Sequence, residues 1–326
     1  MTPAPIKLVF GVDGSYSQHL AVTLVSLLEN NPDNVFDIVA ITLNMGADDQ
    51  ARLQSIIEGN ARVSLRFQPF NIDRYSHFRT DNHISHASYL RIFIPEILEG
   101  VERVLYLDCD LVVQTDLAPL WASDLGGRTI GAVHNPFFVR HGDLQMSPGA
   151  DYFNAGVLLL DLERWRRLDA TEHLIRFIEA HHAHLYAHDQ DALNAVFEGD
   201  ITELPPHWNF QTSMLWCEPE GLSMSYRAFR SLLLKPGIIH YTTPSKPWHF
   251  QNTHPHKDIY YQYLAKTPYH GFRPRDVSFG GVLRRAAQWP MVSFRDRLPA
   301  AYYPTRRAFR QLKGSCLALT AQESRP

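Results

Sequence analysis

Asp108-Cys109-Asp110 and His240-Tyr241-Thr242-Thr243-Pro244-Ser245-Lys246-Pro247-Trp248 contain the residue types that handle metals and phosphates. Two aspartates two apart, at the end of the apolar run Val104–Leu107, can both turn toward a ligand once the strand's alternation breaks. Hard carboxylate oxygens suit Mg²⁺ or Mn²⁺, which in turn bind diphosphates. His240 leaves the apolar run Gly237–Tyr241 and is a nitrogen ligand of the kind that favours Mn²⁺ over Mg²⁺. Lys246, set between Pro244 and Pro247, is a point charge able to neutralise a phosphate. Each pattern alone is weak. With 21 Asp in 326 positions about one chance Asp-x-Asp is expected, and a second one exists, Asp189-Gln190-Asp191. A strand-terminal turn with one capping Asp, and an aromatic loop with a surface His, stay open as the plain alternatives.

Other polar clusters are less specific. Tyr152-Phe153-Asn154-Ala155-Gly156 opens a buried strand, where Asn154 can set an amide against a sugar hydroxyl or simply build a turn. His184 and His188, four apart, can clip a metal on a helix face. No carboxylate or Cys completes that set, so a solvated helix end is favoured. The sequence has no GxGxxG, GxxxxGK(S/T), GxSxG or HExxH, which removes most hydride-transfer, NTPase, α/β-hydrolase and zincin chemistry.

The elements that must position these residues are legible as a pattern. Lys7–Val12, Asp37–Thr42, Val63–Phe67 and Arg103–Leu107 read as buried strands. Between them, Leu20–Glu29 with Ser17 as its N-cap, Asp48–Glu58 ended by Gly59, and His86–Leu98 interrupted at Pro95 read as helices. Ala155–Leu162 is strand-like, Arg164–His182 and Asp189–Phe197 are helical, and Ile201–Leu204 and Gly237–Tyr241 are late strands. This alternation predicts an α/β fold with a mostly parallel, twisted, Rossmann-like sheet and a ligand beyond the strands' carboxyl ends. Asp13-Gly14-Ser15-Tyr16 follows the first strand there, and Asp108-Cys109-Asp110 follows the fourth.

From Pro268 onward the pattern dissolves, which suggests a catalytic domain at 1–270 and a separate segment at 271–326. That segment carries eleven basic and three acidic residues, a net +8, although the whole chain is at −3. Its basic groups are interleaved with Phe272, Phe279, Trp289, Phe294, Tyr302, Tyr303 and Phe309, which suits an anionic bilayer surface. Arg306–Leu312 is short and polar, and is expected to lie in the interface with Phe309 and Leu312 down. The acidic remainder argues against nucleic acid as a partner. With 45% hydrophobic and 20% charged residues the composition is that of a globular protein, and no run approaches a membrane span. Three scattered cysteines and a start without signal-peptide character suggest a cytoplasmic protein.

Taken jointly, the motifs resemble glycosyltransferase family 8, most closely its bacterial lipopolysaccharide α-galactosyl- and α-glucosyltransferases. The stretches that carry the likeness are Val9–Tyr16, Ala87–Leu98, Val104–Val113, Tyr152–Arg167, His188–Asn194 and His240–Trp248. The resemblance implies a GT-A fold, a UDP-hexose donor, Mn²⁺ (with Mg²⁺ as a substitute) and retention of anomeric configuration. It implies Asp108, Asp110 and His240 as metal ligands, and Gly11, Asp13, Ser15 and Tyr16 around the uracil and ribose. Arg91 matches the arginine reaching the donor; Asn154, Asp189 and Gln190 line the sugar, with Gln190 nearest the reacting face; Lys246 matches the phosphate lysine. Cys109 and Thr243 fall within the same donor segments. Thr243 stands where the family has a glycine, Ser15 where relatives often have Asn, and Asn135 where galactosyl relatives carry Asp.

Breaking a sugar–diphosphate bond requires charge on the departing UDP to be stabilised, which a divalent metal and Lys246 supply without an acid. Gln190 is a poor nucleophile, so the acceptor oxygen is expected to attack from the face that UDP leaves, with the phosphate taking its proton. The expected acceptor is a lipid-linked saccharide at the inner face of the cytoplasmic membrane. A metal-dependent nucleotidyltransferase and a non-catalytic UDP-sugar-binding paralogue are the alternatives; the former needs no His–Lys loop.

Overall fold

Strand β1 (Ile6–Asp13) is apolar along nearly its whole length because both of its faces are covered. Leu8, Phe10 and Val12 point into one hydrophobic cluster and Val9 into another. The same division recurs in β4 (Arg103–Leu107), where Leu105 and Leu107 face one side and Val104 and Tyr106 the other. A central sheet between two helical layers follows, in the computed structural model that describes residues 4–80, 85–298 and 301–306.

The remaining strands are β2 (Phe36–Leu43), β3 (Val63–Pro69), β5 (Leu111–Val113), β6 (Ile130–His134), β7 (Phe153–Asp161), β8 (Ile201–Glu203), β9 (Phe210–Gln211) and β10 (Ile238–His240). The large sheet has the order β3-β2-β1-β4-β7-β6-β8. Its first four strands are mutually parallel, β7 runs antiparallel to both β4 and β6, and β6 and β8 are parallel. The sheet is therefore mostly parallel, as expected, with one reversed strand beside the site. A second sheet, β5-β10-β9, was not legible in strands of two or three residues.

Local departures have identifiable causes. Ser17 is the first residue of the helix Ser17–Glu29 and not its cap; Asp13 instead caps the preceding 3-10 turn, accepting from Ser15 N at 2.9 Å. Residues His86–Phe93 form a 3-10 helix, and Pro95 lies in the first turn of Ile94–Ile97, where its missing N–H costs nothing. Asp169, at φ +49°, breaks the expected long helix into Leu162–Arg167 and Ala170–His181.

The region past Pro268 is more ordered than its sequence suggests. Phe279–Arg297 is a 19-residue helix with Pro290 inside it, and residues 301–306 are helical as well. Tyr269 and Phe272 pack against the cluster beneath β10, and Tyr269 donates to Asp49 at 2.8 Å. Of the expected interfacial stretch Arg306–Leu312, all but Arg306 lies outside the described residues, together with Phe309 and Leu312. Among the described residues no helix is long and apolar enough to cross a membrane.

Candidate active site

The chain leaves the large sheet after Leu107 and enters the small one at Leu111, so Asp108-Cys109-Asp110 is the crossing between them. That crossing breaks the strand alternation and turns both carboxylates the same way. His240 ends β10 and pairs with Leu111 in β5, which sets its imidazole against the two aspartates. One ligand atom from each of Asp108, Asp110 and His240 lies within 4.8 Å of the others. His240 Nε2 is 3.2 Å from Asp110 Oδ1 and 3.5 Å from Asp108 Oδ2.

The hydrogen bonds fix which nitrogen of His240 faces the carboxylates. The main-chain N–H of Gly156 donates to Asn154 Oδ1 at 3.0 Å, so that oxygen is an acceptor. The group of Asn209 meeting the same oxygen at 2.8 Å is therefore its NH₂. The carbonyl oxygen of Asn209 then faces His240 Nδ1 at 2.9 Å, and Nδ1 carries the proton. Nε2 is the nitrogen turned toward the two carboxylates, and the donor set of one imidazole nitrogen and two carboxylates fits a divalent cation. Space is kept for these groups by Gly156, where a Cβ would stand 2.1 Å from His240 Cε1 and 2.7 Å from Asp108 Oδ2. Asn209 and Gly156 carry no motif of their own; only the pairing of β9 with β10 and of β7 with β4 brings them here.

Charge in the site is compensated by fixed cations. Arg91 is buried and bridges Asp108 at 3.1 Å and Asp189 at 2.9 Å, lies over the Tyr106 ring and also donates to Ala155 O. Burial pushes the Asp189 carboxyl up to about 6, against the pull of Arg91. Burial would also raise Asp110, but Lys246 and His240 hold it well below the ordinary carboxylate range. Lys246 Nζ donates to Asp110 Oδ2 and to Tyr241 O, each at 2.6 Å. The loop bearing it is held by Trp248, whose ring stacks on His19 at 3.4 Å and meets Tyr16 edge-on.

A second arm comes from β7 and the helix Asp189–Val196. Ala155 N and Asn154 Nδ2 both donate to Gln190 Oε1, and Gln190 Nε2 donates to Tyr152 Oη. Tyr152 donates to Asp191 at 2.5 Å, and Asp191 also receives Tyr186 N, Ala187 N and Arg140. An unbroken chain of polar contacts thus runs from Arg140 to His240. The two arms open on a cavity of about 370 Å³ beyond the carboxyl ends of β1 and β4.

A model of glycosyl transferase family 8 matches residues 7–252. The chain belongs to glycosyl transferase family 8. General stress protein A of Bacillus subtilis (strain 168) is 32% identical over 269 residues, 80% of this chain and 94% of that protein. Lipopolysaccharide 1,2-glucosyltransferase of Escherichia coli (strain K12) is 26% identical over 280 residues, 83% and 81% of the two chains. The solved structure of galactosyltransferase LgtC with donor and acceptor sugar analogues has a TM-score of 0.72 at 26% identity, covering 83% of this chain and 98% of that one. The chain is a glycosyltransferase with a GT-A fold.

Within this family-8 cavity the residues singled out from sequence fall into groups. Gly11, Asp13, Tyr16, Arg91, Asp108, Cys109, Asp110, Asn154, Asp189, Gln190, His240 and Lys246 all line it. Ser15 and Thr243 do not. Ser15 turns back onto Asp13, Thr243 Oγ1 bonds Ser245 O, and Thr242 takes the place at the wall. Gly11 is required by packing, since a Cβ there would stand 2.9 Å from Ala87 O. The Cys109 thiol is buried, and burial raises it well above its ordinary value, so it stays protonated. His184 and His188 make no ligand cluster; the one such group among the described residues is Asp108, Asp110 and His240.

Proposed function

We propose that this glycosyltransferase moves galactose or glucose from UDP to a saccharide acceptor with retention of configuration, using Mn²⁺ held by Asp108, Asp110 and His240. The observation that carries the proposal is the cluster of Asp108, Asp110 and His240, with Nε2 turned to the two carboxylates and the ring held through Nδ1 by Asn209. The metal, when bound there, offsets charge on the donor diphosphate. Asp13, Tyr16 and Gly11 form the wall for the nucleoside. Lys246, resting on Asp110, borders the same cavity and supplies positive charge to the leaving phosphate.

Three side chains near the sugar are candidates for a covalent nucleophile, and all are occupied. Gln190 Oε1 accepts two hydrogen bonds, Asp189 is paired with Arg91, and Asp191 receives Tyr152, Tyr186 N and Ala187 N. This favours attack by the acceptor oxygen on the face UDP leaves, with the departing phosphate taking the proton. A trapped sugar adduct on any of the three would overturn that route. The His–Lys pairing on one carboxylate has no purpose in a nucleotidyltransferase, and an intact ligand set disfavours a non-catalytic binder.

For the acceptor we propose a lipid-linked glycan such as a lipopolysaccharide core, met at the inner face of the cytoplasmic membrane. Support comes from the helix Phe279–Arg297, which exposes Phe279 at 82% and Trp289 at 61% among its arginines. Salt-insensitive association with anionic vesicles would contradict this. The donor is tested by screening UDP-sugars for UDP release with and without Mn²⁺. Metal-dependent release from UDP-galactose or UDP-glucose is expected, and release from neither excludes the assignment.

A further inference from the structure

A cavity of about 260 Å³ lies between the segment Asn252–Asp258 and the helix Phe279–Arg297, and it shares no lining residue with the catalytic cleft. Lys257, Arg285, Arg295 and Arg297 line it, against the two acids Asp258 and Asp296. Most of the cationic hydrogen bonds end on neutral acceptors. Lys257 Nζ donates to the carbonyls of His249, Phe250 and Asn252, Arg285 to Phe250 O, and Arg295 to Thr253 O as well as to Asp296. Four cations thus meet two lining acids, with Asp276 also near Lys257, and the hydrogen bonds of Lys257 and Arg285 end on neutral carbonyls.

One further donor is left over. His254, 6% exposed, forms part of the wall. Its Nδ1 accepts the main-chain N–H of His256 at 3.2 Å, so the proton of the neutral imidazole is on Nε2. That Nε2 is buried and has no hydrogen-bond partner. Burial and the neighbouring His256 and Arg295 keep the ring neutral, lowering it well below its ordinary value. A buried donor without an acceptor costs free energy comparable to a lost hydrogen bond, and such groups ask for an explanation.

We propose that this cavity is a binding site for a phosphate group. A tetrahedral oxyanion offers enough acceptor oxygens for the His254 Nε2–H and for the free guanidinium N–H groups of Arg285 and Arg295, while Lys257, its three N–H groups already committed, adds charge without a further hydrogen bond. Trp289 lines the cavity and is 61% exposed, and exposed Val282 lies two turns before it on the same face of the helix, so an apolar chain carried by the phosphate has a surface to meet. The site is independent of the UDP-sugar assignment, because none of its residues borders the cleft.

The test is calorimetric titration of the full chain, free of divalent metal, with inorganic phosphate and separately with dihexanoyl phosphatidic acid. Saturable binding is expected. Arg295→Gln and His254→Leu should each weaken it by roughly tenfold, the worth of one hydrogen bond to a charged group, while His254→Gln, which keeps a donor, should weaken it less. Asp13→Asn, in the cleft, should leave it unchanged. Tighter binding of the lipid than of inorganic phosphate identifies a headgroup site; equal binding identifies a site for free phosphate. Circular dichroism of each variant shows whether it is folded. No saturable binding of either ligand, or binding untouched in folded Arg295→Gln and His254→Leu variants, would overturn the proposal.

Discussion

The catalytic cleft and the arginine-lined cavity treat their charges in opposite ways. In the cleft, buried Arg91 is shared by Asp108 and Asp189, and Lys246 rests on Asp110. In the cavity, Lys257 and Arg285 donate to carbonyl oxygens, and Arg295 also meets Asp296. Removing one member of a compensated buried pair strands the other, whereas removing a cation that rests on carbonyls strands no charge. The cleft should therefore be built into the stability of the fold, and the cavity should be nearly separable from it.

The largest expected effect tests that contrast at its strongest point. Arg91→Leu leaves Asp108 and Asp189 facing each other without their shared cation, and should cost about 3–5 kcal/mol in urea denaturation. A loss under about 1 kcal/mol would show that the two carboxylates do not depend on Arg91 in the fold. Next comes Asn209→Leu, which frees the His240 ring to rotate and exchange tautomers. Mn²⁺ affinity, followed by the loss of the free-ion electron paramagnetic resonance signal, should fall by roughly 10–100-fold.

Both regions contribute to a pH dependence. His19 sits near the cleft with its pKa lowered to about 3 by burial, and His256 sits below the cavity with its own lowered to about 4. An unfolded histidine takes up its proton near 6.5, so the unfolded chain binds more protons than the fold between that value and about 4. Stability from these groups is fully present above about pH 6.5 and is lost as pH falls toward 4. Thermal melts across that range should show the decline, and His256→Gln should flatten it. The smallest effect is expected at Arg285→Gln, where one bond to a carbonyl is lost and the change should be about 1 kcal/mol.

The cleft was far more legible in the sequence than the cavity. Asp108 and Asp110 follow β4 at the carboxyl end of the parallel sheet, where ligands gather, and His240 and Lys246 belong to a short motif that ends β10, which its pairing with β5 brings to the same place. The direction of β7 was not legible, because an apolar run has the same composition in either direction. Asn209 was missed because one Asn between Trp208 and Phe210 carries no signal; its role arises from a two-residue strand paired with β10. Gly156 acts through the side chain it lacks, which only its neighbours reveal. The helix Phe279–Arg297 escaped notice because Gly280, Gly281 and Pro290 interrupt it and it buries only Gly281, so no apolar stripe marks it. Arg91 was expected to reach the donor; it lines the cleft, and its further bridging of Asp108 and Asp189 was not legible.

The proposed cleavage of a UDP-sugar requires a metal held by Asp108, Asp110 and His240. Asp110→Asn keeps the shape of the side chain, and its amide oxygen can still receive Lys246, while the negative charge is removed. The decisive measurement is the rate of UDP release at saturating UDP-sugar and Mn²⁺ for this variant beside the unaltered chain. A fall of roughly 10²-fold or more is expected, the scale of losing a preorganised electrostatic group, together with loss of activity in the unaltered chain on chelation. Near-normal release by Asp110→Asn, or release by the unaltered chain that chelation does not affect, would contradict it.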